Sequence, residues 1–329
     1  MTEKLKPESI MRAMEKRGWA ARLVPTEHRF DLWSELEGRF ERGEFDEAFA
    51  EERMKPFEEP IKNAPTWARS ILLVAIPDVA MRLRFGWQGR EVTITVPPTF
   101  IHGEERGERC VEALLKECAG GRALRTGIAY LPKKLLATRS GLARYGRNNI
   151  TYVEGMGSFH RLSSLYTDIL CEDGTWQEPS ALDSCKSCGA CIRACPVGAI
   201  DQDRFMVRAE RCITFSQEKP GDVPYPEEFD FSWQDQFIGC MRCQTVCPHN
   251  QGILRVEEAG PPFTEDETSA FLCGVAVEEL SEETIEKLKQ HDILEYLEVL
   301  PRNLPASLLN ASYCKPPSDC MQRPSSRNS

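Results

Sequence analysis

Residues 184–196 read S-C-K-S-C-G-A-C-I-R-A-C-P, and the organisation of the whole chain follows from this run. Its four cysteines are spaced C-x2-C-x2-C-x3-C and are followed at once by proline. In proteins that bind two iron–sulfur clusters, this spacing places three thiolates on one cluster and the fourth on the other. The run therefore predicts one half of a double-cluster domain.

A second run, G-C-M-R-C-Q-T-V-C-P at residues 239–248, has only three cysteines, and Cys212 is the candidate for the missing ligand. Two 4Fe–4S clusters require four thiolates each, and the last ligand of each run is exchanged between them. The predicted metal ligands are Cys185, Cys188, Cys191 and Cys247 for one cluster, and Cys195, Cys212, Cys240 and Cys243 for the other.

Two zinc sites or structural thiols are the alternatives to clusters. Zinc sites usually separate two C-x2-C pairs by a longer loop, so the tight run at 185–195 argues against zinc. The six remaining cysteines are predicted to be packed or, for the last two, exposed: Cys110, Cys118, Cys171, Cys273, Cys314 and Cys320.

The composition is that of an ordinary globular protein, with 329 residues, 41% hydrophobic and 28% charged. No apolar run reaches the length of a membrane span, and the first residues lack the apolar core of a secretory signal. We therefore expect a cytoplasmic protein with reduced thiols and no membrane contact. The net charge of −10 disfavours broad binding to nucleic acid.

The predicted fold class is α+β. An N-terminal α/β domain (1–175) precedes a bacterial ferredoxin-like two-cluster domain (176–260), a short C-terminal helical region (261–315) and a disordered tail (316–329). The elements predicted in the N-terminal domain are a helix within 3–20 capped by Ser9, an amphipathic stretch at 30–57, strands at 71–77 and 92–96, and a helix at 104–119. Three helices are predicted near the C-terminus, at 268–275, 281–290 and 293–300.

A basic, glycine-rich stretch lies between Gly121 and Arg161. One acid, Glu154, stands among the basic residues Arg122, Arg125, Lys133, Lys134, Arg139, Arg144, Arg147 and Arg161. Glycine lets backbone approach a ligand closely, and arginine binds phosphate or carboxylate. The stretch predicts a ligand site, with a solvated basic face as the alternative.

Several segments together resemble one family. The segments are A-T-R-S-G-L-A-R-Y-G-R-N-N-I (137–150), G-S-F-H-R-L (157–162), T-D-I-L (167–170) and R-C-I-T-F (211–215) between the cysteine runs. Combined with those runs, they resemble epoxyqueuosine reductase and, more distantly, the corrinoid reductive dehalogenases. The resemblance covers roughly residues 65–255, and L-P-R-N-L (300–304) is similar to the family's C-terminal region.

The resemblance implies a cobalamin bound base-off in the N-terminal domain and supplied with electrons by the clusters. It implies an oxidoreductase that acts on a small or nucleoside-like substrate and draws on an external low-potential donor of the ferredoxin or flavodoxin type. The residues that fall at the family's cofactor loops are Gly141, Tyr145, Gly146, Arg147, Asn148, Gly157 and Ser158.

The chain departs from this family at its catalytic acid. Epoxyqueuosine reductases carry an aspartate in a V-D-x-x-P segment, whereas this chain reads I-A-Y-L-P at 128–132, with Ala129 in that place. A tRNA substrate is therefore disfavoured. By resemblance to the dehalogenases, Tyr130 with Lys134 or Arg147 is the candidate proton donor, and a packed core tyrosine is the alternative reading.

Two further alternatives stay open. The chain could be an electron-transfer protein of the ferredoxin type that serves a partner enzyme without cobalamin. His249, which follows the last cluster cysteine, could hydrogen-bond to a cluster sulfur and tune its potential, although a lone histidine is more often packed or solvated.

Overall fold

The structure is a computed structural model, and it describes residues 6–100, 105–172 and 174–313. The helices are α1 (Pro7–Lys16), α2 (Arg29–Glu41), α3 (Glu47–Phe49), α4 (Glu58–Lys62), α5 (Arg106–Ala119), α6 (Lys133–Arg139), α7 (Cys185–Cys188), α8 (Ala190–Ala194), α9 (Ile213–Gln217), α10 (Arg242–Thr245), α11 (Glu265–Cys273), α12 (Glu282–Gln290) and α13 (Leu300–Tyr313). The strands are β1 (Ala20–Pro25), β2 (Ser70–Pro77), β3 (Ala80–Trp87), β4 (Arg90–Val96), β5 (Thr126–Ile128), β6 (Arg144–Tyr145), β7 (Thr151–Tyr152), β8 (His160–Thr167) and β9 (Val256–Glu258).

The chain divides into two compact units, and the predicted α+β class is confirmed. The first unit comprises 1–82, 96–219 and 238–258, and the second comprises 83–95, 220–237 and 259–329. The four domains expected from the sequence remain a prediction. The predicted disordered tail lies outside the described residues, as do Cys314 and Cys320.

A four-stranded sheet in the order β1-β2-β8-β5 forms the core of the first unit. All three pairings are antiparallel, and Leu72 at the centre of β2 stands opposite Leu23 on one side and Leu165 on the other. Leu72 and Val74 pack with side chains of α1 and α5, whereas Ile71 and Leu73 pack with side chains of α2 and α6. Helices therefore cover both faces, which explains why the sequence of β2 is continuously apolar.

The predicted N-cap of the first helix was wrong. The helix has Lys6 rather than Ser9 as its N-cap, because Pro7 occupies the first helical position, where a missing N–H costs nothing. The helix ends at Lys16, inside the predicted range. Residues 20–25 form the edge strand β1, which was not among the predicted elements.

The second unit contains β4 and the helices from α11 onward. Strand β3 begins in the first unit, where Ala80 pairs in parallel with Val256, and its later residues lie beside β4 in the second unit. The predicted end of the last helix at Leu300 was wrong, because a 3-10 helix at Leu294–Val299 leads into α13, which continues to Tyr313. Proline at residue 301 lies in the first turn of α13 and so does not interrupt it.

The segment 220–237 is held against α13 by Asn303. This side chain is fully buried, donates from Nδ2 to the Phe237 carbonyl over 2.9 Å, and accepts from the Tyr225 hydroxyl over 2.7 Å. The link between the two cysteine runs is therefore ordered by the second unit. Among the described residues, no helix combines the length and the apolar character that a membrane crossing requires.

Candidate functional site

The structure gathers the eight predicted cysteines into two groups in the first unit. The first tetrad lines a small cavity of about 90 Å³ and consists of Cys185, Cys188, Cys191 and Cys247. The second tetrad lines one part of a larger chamber and consists of Cys195, Cys212, Cys240 and Cys243. This is the grouping that ligand exchange between the two runs predicts.

Each cysteine run is folded into short helical turns that point its sulfurs inward. Helix α7 ends at Gly189, whose φ of 62° is left-handed backbone, and the chain turns there into α8. Cys195 leaves α8 in extended conformation, and its Sγ accepts a hydrogen bond of 3.3 Å from the Ala199 N–H. Cys195 therefore stands apart from its own run and joins the second tetrad.

The thiols of the second tetrad are poorly suited to ionise without a bound cation. Burial raises the pKa of Cys240 to about 11, and it also raises the pKa of Cys212 and Cys243, with the neighbouring thiols adding to the effect. Bound iron would stabilise the thiolate forms. Among the described residues, no group of His, Cys, Asp or Glu side chains could hold a single metal ion. Four sulfurs around one cavity are the donor set of a cubane cluster.

The chamber has two lobes of about 500 Å³ each. The cluster lobe contains the second tetrad, and the aromatic lobe is lined by Phe45, Phe49, Tyr130, Tyr145 and Phe205. Six residues line both lobes and form a shared wall: Thr99, Lys133, Lys134, Asn149, Leu162 and Val207. The two lobes of the chamber are therefore neighbouring cavities that adjoin along this wall.

The shared wall contains two strained residues and a buried cation. Thr99 and Asn149 have φ values of 76° and 57°, and left-handed backbone costs a non-glycine residue about 1–2 kcal/mol. Lys134 Nζ donates to the backbone and side-chain oxygens of Asn149, over 3.1 Å in each case. Burial lowers the pKa of Lys134, while the nearby Cys212 opposes this effect. Backbone strain of this kind is typical of functional sites.

The three predicted catalytic residues are not all in one place. Tyr130 and Lys134 line the aromatic lobe, but the Tyr130 hydroxyl donates to Glu105 Oε1 over 2.6 Å. A carboxylate neighbour disfavours the phenolate that proton donation would leave. Arg147 lines the small cavity of the first tetrad instead and donates to the Gln202 carbonyl over 2.8 Å. Lys134 is thus the best placed of the three.

Two of the three glycines predicted to bind a cofactor, Gly141 and Gly157, do not line the cavities. Gly157 has a φ of 55°, and a Cβ there would lie 2.3 Å from Asn250 Oδ1 and 3.0 Å from the His249 carbonyl. The next residue, Ser158, donates its N–H to Asn250 Oδ1 over 2.8 Å. Gly141 follows the end of α6 and is not among the residues that line the chamber or the small cavity.

The remaining candidates lie along the cavities. Gly146 lines the small cavity, Tyr145 lines the aromatic lobe, and Asn148 lines both the small cavity and the cluster lobe. His249 Nε2 lies 2.6 Å from Ser184 Oγ. Sequence reasoning missed Tyr152, a buried residue of the small cavity, because nothing in its local sequence distinguishes it from a core tyrosine.

Half of the eight basic residues in the glycine-rich stretch are neutralised within the protein. Four of its cations form ion pairs with carboxylates: Lys133 with Glu108, Arg139 with Glu35 and Glu178, Arg144 with Asp183, and Arg161 with Asp78. These side chains fix the segments around the chamber. The predicted anion-binding face is therefore largely engaged in internal contacts.

His160 should make the stability of the protein depend on pH. Its Nδ1 lies 3.1 Å from the Gly157 carbonyl, its Nε2 lies 3.1 Å from Thr151 Oγ1, and burial lowers its pKa from 6.5 to about 4. As the pH falls, the imidazole is protonated near pH 6.5 in the unfolded chain but only near pH 4 in the folded protein. The contribution of His160 to the free energy of unfolding is therefore fully present above about pH 6.5 and declines toward pH 4. We expect a loss of about 1 kcal/mol between pH 8 and pH 5.5 from this group.

Urea unfolding of wild type and His160→Gln at both pH values measures this loss. The variant should show a smaller decline with pH than wild type. Equal declines in wild type and His160→Gln would contradict the assignment.

Comparison with known proteins identifies the cysteine region. Residues 184–250 match the family described as "4Fe-4S double cluster binding domain". The epoxyqueuosine reductase of Cellulophaga algicola is 32% identical over 172 residues, which are 52% of this chain and 53% of that protein. That of Bacillus subtilis is 34% identical over 122 residues, which are 37% of this chain and 30% of that protein.

A solved structure extends the similarity in fold. The epoxyqueuosine reductase from Streptococcus thermophilus matches with a TM-score of 0.61 and 19% identity, over 92% of this chain and 80% of that one. By sequence, the chain spans about half the length of the first curated relatives it matches, 53% and 48%. The predicted resemblance to epoxyqueuosine reductases is confirmed, as is the double 4Fe–4S cluster domain.

Proposed function

We propose that this protein is an iron–sulfur oxidoreductase in which the chamber holds a cobalamin and a small or nucleoside-like substrate. The observation that carries the proposal is that the cavity lined by the second tetrad shares six lining residues with the aromatic lobe. A protein that only carries electrons needs no enclosed space beside its cluster. The similarity to epoxyqueuosine reductases supports the same reading.

The two tetrads would hold the 4Fe–4S clusters, which supply one-electron transfer. The first tetrad lies around a small cavity, and the second adjoins the chamber. The first is therefore suited to receive electrons from outside the protein, and the second to serve the reaction. An external low-potential donor of the ferredoxin or flavodoxin type fits this arrangement.

The lining of the chamber suits a large ring with polar edges. Phe45, Phe49 and Phe205 offer flat apolar surfaces in the aromatic lobe, while Thr99 and Asn149 offer polar groups on the shared wall. Binding sites of this kind combine a mainly apolar wall with few placed polar groups. When bound, cobalamin would supply a strongly reducing cobalt centre.

Lys134 is the residue that we propose to supply the proton. Ala129 stands where epoxyqueuosine reductases carry their catalytic aspartate. It is fully buried in the core that contains Ile71 and Leu73 of β2, and it is not among the residues that line the chamber. Lys134 lies on the shared wall, and no carboxylate among the described residues pairs with it. A desolvated ammonium gives up a proton more readily than an exposed one.

The charges around the chamber favour a small substrate over an RNA backbone. Recognition of RNA phosphates would need free cations, and half of the eight basic residues in the stretch are engaged in ion pairs. One structurally similar protein is an epoxyqueuosine reductase with a tRNA-TYR epoxyqueuosine-modified tRNA stem loop. A modified nucleoside without its stem loop would still fit the proposal.

Cobalamin binding to the anaerobically purified protein tests the proposal. We expect wild type to retain one cobalamin per chain in equilibrium dialysis. Val207→Trp should weaken binding at least about tenfold, because the larger side chain would occupy space beside the shared wall. Val223→Trp, at an exposed valine that is not among the chamber residues, is the matched control and should bind as wild type.

The opposite result would favour the alternative function. If wild type holds both clusters but no cobalamin, the chain is better described as an electron-transfer protein of the ferredoxin type. Rapid reduction of a partner protein in mixing experiments would then support that description.

A further inference from the structure

We propose that Asn148 and Tyr152 form a hydrogen-bonded bridge between the two tetrads and set the reduction potentials of the clusters bound there. This inference rests on the two-cluster part of the proposed function and is independent of cobalamin. Asn148 lines both the small cavity and the cluster lobe, and Tyr152 lines the small cavity. Each side chain is only 6% exposed.

The bridge lies between the small cavity of the first tetrad and Cys243 of the second tetrad. Asn148 Nδ2 donates to the Tyr152 hydroxyl oxygen over 3.1 Å and to the Cys243 carbonyl over 3.4 Å. Since the hydroxyl oxygen accepts from Asn148, its own proton is left for an acceptor in the small cavity, which Tyr152 lines together with the first tetrad. Asn148 in turn contacts the backbone of a ligand of the second tetrad. The same pair therefore lies beside both tetrads.

The surrounding chain fixes this pair in place. The Ile150 N–H donates to Asn148 Oδ1 over 3.4 Å, which turns the Nδ2 group toward the cysteines. A Cβ at Gly146 would lie 2.5 Å from both Asn148 Oδ1 and Tyr152 Cε2, so only glycine leaves room for the pair. The ring of His249 packs edge-on to that of Tyr152, with centroids 6.0 Å apart.

Hydrogen bonds to the sulfurs of a cluster raise its reduction potential. The reduced cluster carries more negative charge than the oxidised one, so a donor stabilises the reduced state more strongly. The effect is larger in a buried site, where water does not compete. The Tyr152 hydroxyl would therefore act on a cluster in the first tetrad, and the Asn148 N–H would act on one in the second through the Cys243 backbone. Both are positioning residues that touch no substrate.

Anaerobic redox titration followed by electron paramagnetic resonance tests the bridge. We expect Tyr152→Phe to shift the midpoint potential of one cluster to a more negative value and to leave the other unchanged. Asn148→Ala should shift the other cluster in the same direction. Tyr166→Phe is the matched control, because Tyr166 is a buried tyrosine that is not among the residues lining either cavity, and it should shift neither.

The outcomes separate this inference from the proposed function. Wild type without about eight iron atoms per chain would refute the two clusters themselves. Full iron content with unchanged potentials in Tyr152→Phe would overturn the bridge alone. If Tyr152→Phe fails to load clusters, Asn148→Ala replaces it: a shift in the midpoint potential of one cluster supports the bridge, and unchanged potentials overturn it.

Discussion

Replacing Cys212 with alanine is expected to remove about half of the iron from the protein. The second tetrad would keep only Cys195, Cys240 and Cys243, whereas the first tetrad would stay complete. Iron and acid-labile sulfide should each fall from about eight toward about four per chain, because a 4Fe–4S cluster needs four ligands. Reduction of any substrate in the chamber should be lost, since the second tetrad adjoins the chamber.

Two further variants make this measurement specific. Cys188→Ala should remove a similar share of iron from the first tetrad. Cys118→Ala should keep the full content, because this partly buried cysteine of α5 is not among the residues that line either cavity. Full iron content in Cys212→Ala would show that Cys212 is no ligand.

Gly157→Ala should be the most destabilising glycine substitution in the chamber region. Left-handed backbone costs alanine about 1 kcal/mol, and displacement of Asn250 breaks buried hydrogen bonds to Ser158 worth about 1–3 kcal/mol. We therefore expect a loss of about 3 kcal/mol in the free energy of unfolding. Anaerobic urea denaturation, followed by circular dichroism and by cluster absorbance, measures it.

Gly155→Ala is the matched control for this experiment. Gly155 lies two residues earlier with a φ of 76°, but no atom lies within 4 Å of the Cβ that alanine would add. The free energy of unfolding of Gly155→Ala should fall only by the cost of placing alanine in left-handed backbone, about 1 kcal/mol. Equal losses of unfolding free energy in the two variants would contradict the close contact of Gly157 with Asn250.

The parts of the molecule that the sequence predicts are those encoded by neighbouring residues. The grouping of the cysteines follows from ligand spacing within each run, and β2 follows from an uninterrupted apolar segment. The class of the fold follows from the same patterns. Each cysteine run and the apolar segment of β2 is complete within about ten residues of chain, and only Cys212 had to be added from outside the runs.

The parts that sequence reasoning missed depend on contacts between distant segments. Tyr152 has its role through Asn148 and the small cavity, and Gly157 has its role through Asn250. Both Arg147 and Tyr130 carry plausible chemistry, yet their partners, Gln202 and Glu105, could not be identified from local sequence. Tertiary contacts of this kind decide whether a polar side chain serves catalysis or packing.

The exchange of ligands between the two cysteine runs has a consequence for biogenesis. The first tetrad needs Cys247 beside Cys185, Cys188 and Cys191, so the first cofactor can be inserted only after the ribosome has passed both runs. Its insertion closes a long loop and brings Cys240 and Cys243 toward Cys195, which lowers the entropic cost of the second insertion. Cells short of iron should therefore accumulate empty and fully matured chains, with few chains that are half-loaded.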